Sequence, residues 1–227
     1  MKKGYLITLE GFEGSGKTTI AQRLHQVFKD SGFPVFLTKE PGGTLAGNRI
    51  REILLERESE GLGFKAELLL FAASRSENVR INIKPALQKG SIVICDRYYD
   101  STTAYQGYGR GIELETIQYL NHFAVEDVIP DTTFFLDVDP AVGLQRSALF
   151  NQGKEMRFED EFINQKKING KLFLERVRDG YYQIAQQEPE RIQAIDANRD
   201  INLILNDIIK ILNERLSVRF HKKLLPA

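Results

Sequence analysis

Residues Gly11-Phe12-Glu13-Gly14-Ser15-Gly16-Lys17-Thr18 spell G-x-x-x-x-G-K-[ST], and their flanks constrain the fold more than any other stretch of the chain. The apolar run Tyr5-Leu6-Ile7-Thr8-Leu9 before them reads as a buried strand. Ile20, Leu24, Val27 and Phe28 after them fall on one helical face. A strand, a glycine-rich loop and a helix N-terminus together form a phosphate cradle. Successive backbone N–H groups turn inward there, and the helix end adds partial positive charge. The pattern predicts that Gly11, Phe12, Glu13, Gly14, Ser15, Gly16, Lys17, Thr18 and Thr19 bind ATP or another nucleoside triphosphate. Lys17 would reach the β/γ-phosphates and the Thr18 hydroxyl would bind Mg²⁺. The competing possibility is a plain glycine turn between strand and helix.

Strand and helix patterns alternate along the rest of the chain. Val35–Thr38, Ile92–Cys95 (ending on Asp96), Thr132–Asp137 and Ile192–Ile195 read as further strands. Helical patterns cover about Leu45–Arg57, Lys65–Gln88, Glu113–Ala124, Glu161–Gln187 and Asn202–Leu216. Asp139-Pro140 supplies an N-cap followed by proline at the first helical position. Repeated βα units predict an α/β fold: a parallel five-stranded sheet of the P-loop NTPase type with helices on both faces. One P-loop domain is expected over residues 1–216, with a mobile lid at about 147–160 where periodicity fades, and a frayed tail over 217–227.

Composition narrows the partners. Lys plus Arg (31) equals Asp plus Glu (31), so no global basic field gathers nucleic acid. Small anions held by a few placed cations are expected instead. Glu10 interrupts the apolar stretch after Lys2 and Lys3 too early for a signal peptide, and no run suits a membrane span. A lone cysteine, Cys95, fits a buried strand position in a reducing compartment, and a cytoplasmic protein is expected.

The guanine-reading N-K-x-D and the D-x-x-G of GTPase switches are both missing from the sequence. Kinases instead need a second anion site built from arginines. The candidate is Asp96-Arg97-Tyr98-Tyr99-Asp100-Ser101-Thr102-Thr103-Ala104-Tyr105-Gln106, at the carboxyl end of the third strand, where ligands of open α/β sheets collect. Asp96 could hold Mg²⁺ and Arg97 could clamp phosphate oxygens, or the two could form a surface ion pair.

This segment resembles the thymidylate kinase signature D-R-Y-x-x-S-x-x-A-Y-Q, and the resemblance, to the family's bacterial branch, extends over nearly the whole chain. Glu40-Pro41-Gly42-Gly43-Thr44 matches its E-P-G-G-T, and Arg51 its downstream arginine. Leu69-Leu70-Phe71-Ala72-Ala73-Ser74-Arg75 matches L-L-F-A-A-x-R, and Arg157-Phe158-Glu159 matches R-F-E. The resemblance implies transfer of the γ-phosphoryl of ATP to dTMP, with Mg²⁺, by a homodimer.

It also implies residue roles. Phe71 would stack on the base while Arg75, one turn away, donates to it. Spacing alone favours a core phenylalanine beside a surface arginine. Arg51 and Arg97 would grip the acceptor phosphate, and Glu13 would accept from the sugar 3′-hydroxyl. Tyr105 would pack where a 2′-hydroxyl would sit, and Thr102 and Gln106 would bond the base or its neighbours from a loop. Lys17, Asp96, Arg97 and the lid arginines Arg146 and Arg157 would be catalytic. Ala148 and Phe150 stand where further lid arginines often occur, with Lys154 as a substitute, which implies modest turnover. Adenine is expected near Ala197-Asn198-Arg199. The alternatives are a kinase for another nucleoside monophosphate or a deoxynucleoside, or a catalytically weak nucleotide sensor.

Overall fold

Alternate residues of the inner strands face two separate cores, which is why their sequences are apolar almost throughout. The computed structural model describes residues 4–55, 62–150, 172–220 and 224. Five parallel strands, β1 (Tyr5–Glu10), β2 (Val35–Lys39), β3 (Ile92–Asp96), β4 (Thr132–Asp137) and β5 (Ile192–Asp196), lie in the order β2-β3-β1-β4-β5. Ile7, Leu9, Ile92 and Ile94 point to one core, with α1 (Lys17–Asp30), α8 (Phe173–Gln187) and α9 (Ile201–Phe220). Leu6, Val93 and Cys95 point to the other, closed by Val79, Ile83, Leu87, Val125 and Val128. The α/β fold and its parallel five-stranded sheet are as expected.

The register sets the site. Leu9 pairs with Asp96, and Glu10 with Phe135, so the P-loop leaves β1 level with the ends of β3 and β4. The winding of the chain also reverses at β1, where such sheets open a crevice for ligands.

Four elements differ from the sequence expectation. The helix expected over Lys65–Gln88 is α3 (Phe64–Asn78) and α4 (Lys84–Gln88) joined by wider π-helical turns at Val79–Ile83. Pro85 lacks the N–H a regular helix needs, and the widened turn absorbs the mismatch. The segment after Arg97, read as a loop, is helical: α5 (Tyr99–Thr102) continues into π-helical turns at Thr103–Gly109. The last helix runs on to Phe220. Its ring meets Tyr5 and Phe33 edge-on at 6.4 and 6.2 Å, while Arg219 bonds Asp131 at 3.0 Å. Leu224 is buried and its N–H is held by Asn213, so the start of the expected frayed tail is packed. Of the helix expected over Glu161–Gln187, α8 is the described part. Residues 56–57 of the second helix, α2 (Leu45–Leu55), also lie outside the described residues. The remaining helices are α6 (Leu114–Val125) and α7 (Pro140–Phe150). Among the described residues no helix is long and apolar enough to cross a membrane.

Candidate active site

The P-loop keeps its shape because glycine stands where a side chain could not. Gly14 has φ 70°, and a Cβ there would lie 2.1 Å from the Gly143 carbonyl oxygen on α7. Gly16, at φ 91°, caps α1 and turns the chain into the helix. The Lys17 ammonium is buried and donates to the Phe12 carbonyl and, at 3.2 Å, to Ser15 Oγ. Ser15 itself donates to the same carbonyl at 2.8 Å. Phe12 offers the loop only its backbone, since its ring is in the core, edge-on to Tyr181. Thr18 and Thr19 are exposed on the first turn of α1.

Thr18 Oγ1 donates to Asp96 Oδ2 at 2.6 Å, joining P-loop and β3 across the sheet edge. A hydroxyl and a carboxylate meeting there form a hard-oxygen donor set of the kind Mg²⁺ takes. Arg97, next in the chain, has φ 69°, in the left-handed region that costs a non-glycine residue about 1–3 kcal/mol. Its N–H bonds the Leu9 carbonyl at 2.9 Å, which fixes the turn. Its guanidinium reaches Ser101 Oγ at 3.4 Å and lies 5.2 Å over the Tyr105 ring. The strain thus aims a cation back over the strand end.

Beside it opens a cleft of about 700 Å³, counting its mouth. Every residue expected on the acceptor side lines it: Glu13, Arg51, Phe71, Arg75, Arg97, Thr102, Tyr105 and Gln106. Glu13 belongs to the P-loop as well, so the cleft adjoins the phosphate cradle. Ser147 of α7 donates to Glu13 at 3.2 Å. Arg51 of α2 bonds the Pro41 carbonyl at 3.3 Å.

Spacing alone would put Arg75 on the surface, but it is 2% exposed. Its Nε bonds Glu40 at 2.8 Å, one terminal nitrogen bonds Asn121 at 3.0 Å, and the other bonds Thr102 at 2.9 Å and the Tyr98 carbonyl at 3.3 Å. Such a buried charge persists because it is paired and hydrogen-bonded. Burial raises the Glu40 carboxyl above its ordinary range, and Arg75 opposes that rise. Phe71, one turn earlier, is half-buried along the same wall. Tyr105 meets Phe173 and Tyr181 edge-on at 6.1 and 6.4 Å, which fixes its ring beneath Arg97.

Several residues of this constellation carry no obvious signal in the sequence. Glu67 is buried and accepts from Gln106 and Arg110. Glu10, wholly buried at the end of β1, accepts from the Tyr98 N–H at 2.8 Å, from Ser101 Oγ and from Tyr181 at 3.2 Å. Burial, with the Asp100 charge second, pushes its carboxyl up to about 8. A charge closing an apolar strand run is the one available hint.

Arg146 does not line the cleft. It donates to the carbonyls of Ala197 at 2.8 Å and Asn198 at 3.3 Å, on the loop after β5. Arg157 and Lys154 lie outside the described residues, as do the side chains of Ala148 and Phe150.

A cleft lined by arginines and an aromatic ring, next to a P-loop, is found here in a chain with close relatives. The thymidylate kinase family model matches residues 9–208. Thymidylate kinase of Protochlamydia amoebophila (strain UWE25) is 43% identical over 216 residues, covering 95% of each chain. That of Shouchella clausii (strain KSM-K16) is 40% identical over 216 residues, 95% of this chain and 98% of the relative. The crystal structure of thymidylate kinase from Ehrlichia chaffeensis superposes with a TM-score of 0.72 at 38% identity, covering 92% of this chain and 98% of that one. With a family match across most of its length and relatives this similar over nearly all of it, the chain belongs to the thymidylate kinase family.

Proposed function

We propose that this kinase transfers the γ-phosphoryl of ATP to dTMP, giving dTDP and ADP, and that the cleft beside the P-loop is the dTMP site. The observation that carries this reading is the meeting of Phe71, Arg75, Arg51 and Arg97 in one cleft that shares Glu13 with the phosphate cradle. The ring and Arg75 suit a pyrimidine base, and the other two arginines suit its phosphate.

Bound this way, an oxygen of the dTMP phosphate forms the new bond to the γ-phosphorus while the bridging P–O bond to ADP breaks. That oxygen is already anionic near neutral pH, so no side chain has to remove a proton. The protein positions the groups and stabilises the charge that develops. Lys17 and the loop amides hold the donor, and Arg97 spans donor and acceptor. Its strained backbone fixes the guanidinium before substrate arrives. Glu13 accepts from the sugar 3′-hydroxyl and Tyr105 packs against the 2′ position. Gln106 bonds the base with Thr102 beside it, Arg157 acts from the lid, and Arg146 joins it only by leaving the carbonyls of Ala197 and Asn198. Thr18 and Asp96 would hold Mg²⁺, whose chemistry when bound is to offset charge on the β- and γ-phosphates. Among the described residues no cluster of His, Cys, Asp and Glu forms a metal cage. Phosphate oxygens and water would supply the remaining ligands.

A homodimer fits the exposed apolar side chains of neighbouring helices, Leu69 on α3 and Tyr119 and Phe123 on α6. A cytoplasmic location fits the buried free thiol of Cys95. The test of the function is ADP release with Mg·ATP against dTMP, dUMP, dCMP, UMP, AMP, GMP and thymidine. The expected result is strong preference for dTMP. Preferred turnover of a purine monophosphate or of thymidine would overturn the assignment of the cleft.

A further inference from the structure

Glu67 takes no direct part in phosphoryl transfer, yet it is placed with care. It shares one face of α3 with Phe71 and Arg75 at four-residue spacing, and like them it lines the cleft. Its side chain is 7% exposed and that of Arg110 3%. The carboxylate accepts from Arg110 Nε at 2.9 Å and from one terminal nitrogen of the same guanidinium, which stacks 4.3 Å over the Phe64 ring. It also accepts from Gln106 Nε2 at 2.7 Å.

A carboxylate clasped by a guanidinium can only accept hydrogen bonds. The Gln106 amide therefore turns its NH₂ to Glu67, which leaves the carbonyl turned away from it as the acceptor Gln106 offers the cleft. Arg75, oriented by Glu40, has four of its five N–H groups taken up by Glu40, Asn121, Thr102 and the Tyr98 carbonyl, which leaves one terminal N–H as its donor in the same cleft.

We propose that Glu67, charge-balanced by Arg110, is a positioning residue that sets the hydrogen-bond polarity of the base-reading end. A donor from Arg75 and an acceptor from Gln106 complement the adjacent carbonyl and imide N–H of a thymine or uracil ring. Cytosine carries an amino group and an unprotonated ring nitrogen at those positions, so both contacts oppose it. Without Glu67 the amide can turn, and its NH₂ then suits the cytosine nitrogen. Glu67 thus acts through Gln106 and discriminates imide pyrimidines from cytosine without touching either. The inference rests on the reading of the cleft as the dTMP site.

The experiment compares kcat/KM for dTMP and dCMP in the wild type, in Gln106→Leu and in the double variant Glu67→Gln/Arg110→Leu. The double variant removes the carboxylate and its counter-charge together, so that no lone charge is left buried. We expect the preference for dTMP over dCMP to fall at least about tenfold in the double variant, with the KM for ATP unmoved. Equal losses for both acceptors, with Gln106→Leu still raising the KM for dTMP, would overturn the role of Glu67 and leave the cleft assignment standing. An unchanged KM for dTMP in Gln106→Leu would instead remove the base site itself, and this inference with it. Should the double variant not fold, Arg110→Lys keeps the charge but loosens the two-pronged grip. A fall in the same ratio supports the proposal there, and an unchanged ratio overturns it.

Discussion

At the P-loop end the groups on offer to a ligand are mostly main chain, held by Gly14 and Gly16 at positive φ and by the start of α1. At the far end they are side chains, and the two polar residues proposed to read the base are each braced by a buried acid: Arg75 by Glu40, and Gln106 by Glu67. The first arrangement is fixed by local backbone geometry within a few residues. The second depends on partners brought together from separate helices, with charges buried only because they are paired. A phosphate presents the same oxygens in every nucleotide, so backbone amides suffice. A base must be told from its relatives by donor and acceptor pattern, which only oriented side chains supply.

Three substitutions would sharpen or break this contrast. Arg97→Ala, at the junction of the two ends, should have the largest effect, lowering kcat by about 10²–10³-fold while ATP affinity by titration calorimetry stays close to wild type. Equal loss of ATP binding would place Arg97 in the phosphate cradle and blur the division. Phe71→Ala should act on the base end alone, raising the KM for dTMP about tenfold or more through lost stacking and leaving that for ATP in place. If the KM for dTMP does not move, Phe71 is only part of the wall.

The smallest effect at neutral pH is expected from Glu10→Gln, beneath the junction. Burial holds this carboxyl at about 8 in the folded protein against an ordinary 4.5, so between those limits the folded state carries the extra proton. Its contribution to stability is complete below the lower value and is lost as pH rises through the upper one. Denaturation midpoints from about pH 5 to about pH 9 should therefore shift in favour of the glutamine variant as pH increases. Parallel curves for the two proteins would show Glu10 ionised throughout.

How far the sequence alone discloses this molecule tracks the same division. The strands and the P-loop are legible because their causes are local: both faces of the sheet are covered, so the strands are apolar runs, and the glycines stand beside the lysine they serve. Arg75 reads as a surface residue from spacing because arginine is seldom buried, and the carboxylate that permits its burial, Glu40, lies on another element. Glu67 and Arg110 are distant in the chain, and no short pattern announces their pairing. Phe220 and Leu224 are masked by the basic residues around them, so a packed helix end reads as a fraying one. Only resemblance brings Phe71, Arg75 and Gln106 to one site in advance, and it is silent on what holds them there.

The π-helical turns at Thr103–Gly109 bear on how such a protein can vary in length. A π-turn is an α-helix carrying one surplus residue, so losing any one residue there would restore the regular helix and rotate the chain beyond it by about 100°. Tyr105 and Gln106 would then no longer face the same side as Arg110 faces Glu67. The segment is read from both of its ends at once, and its residue count is as much a part of the proposed base site as the identity of any residue in it.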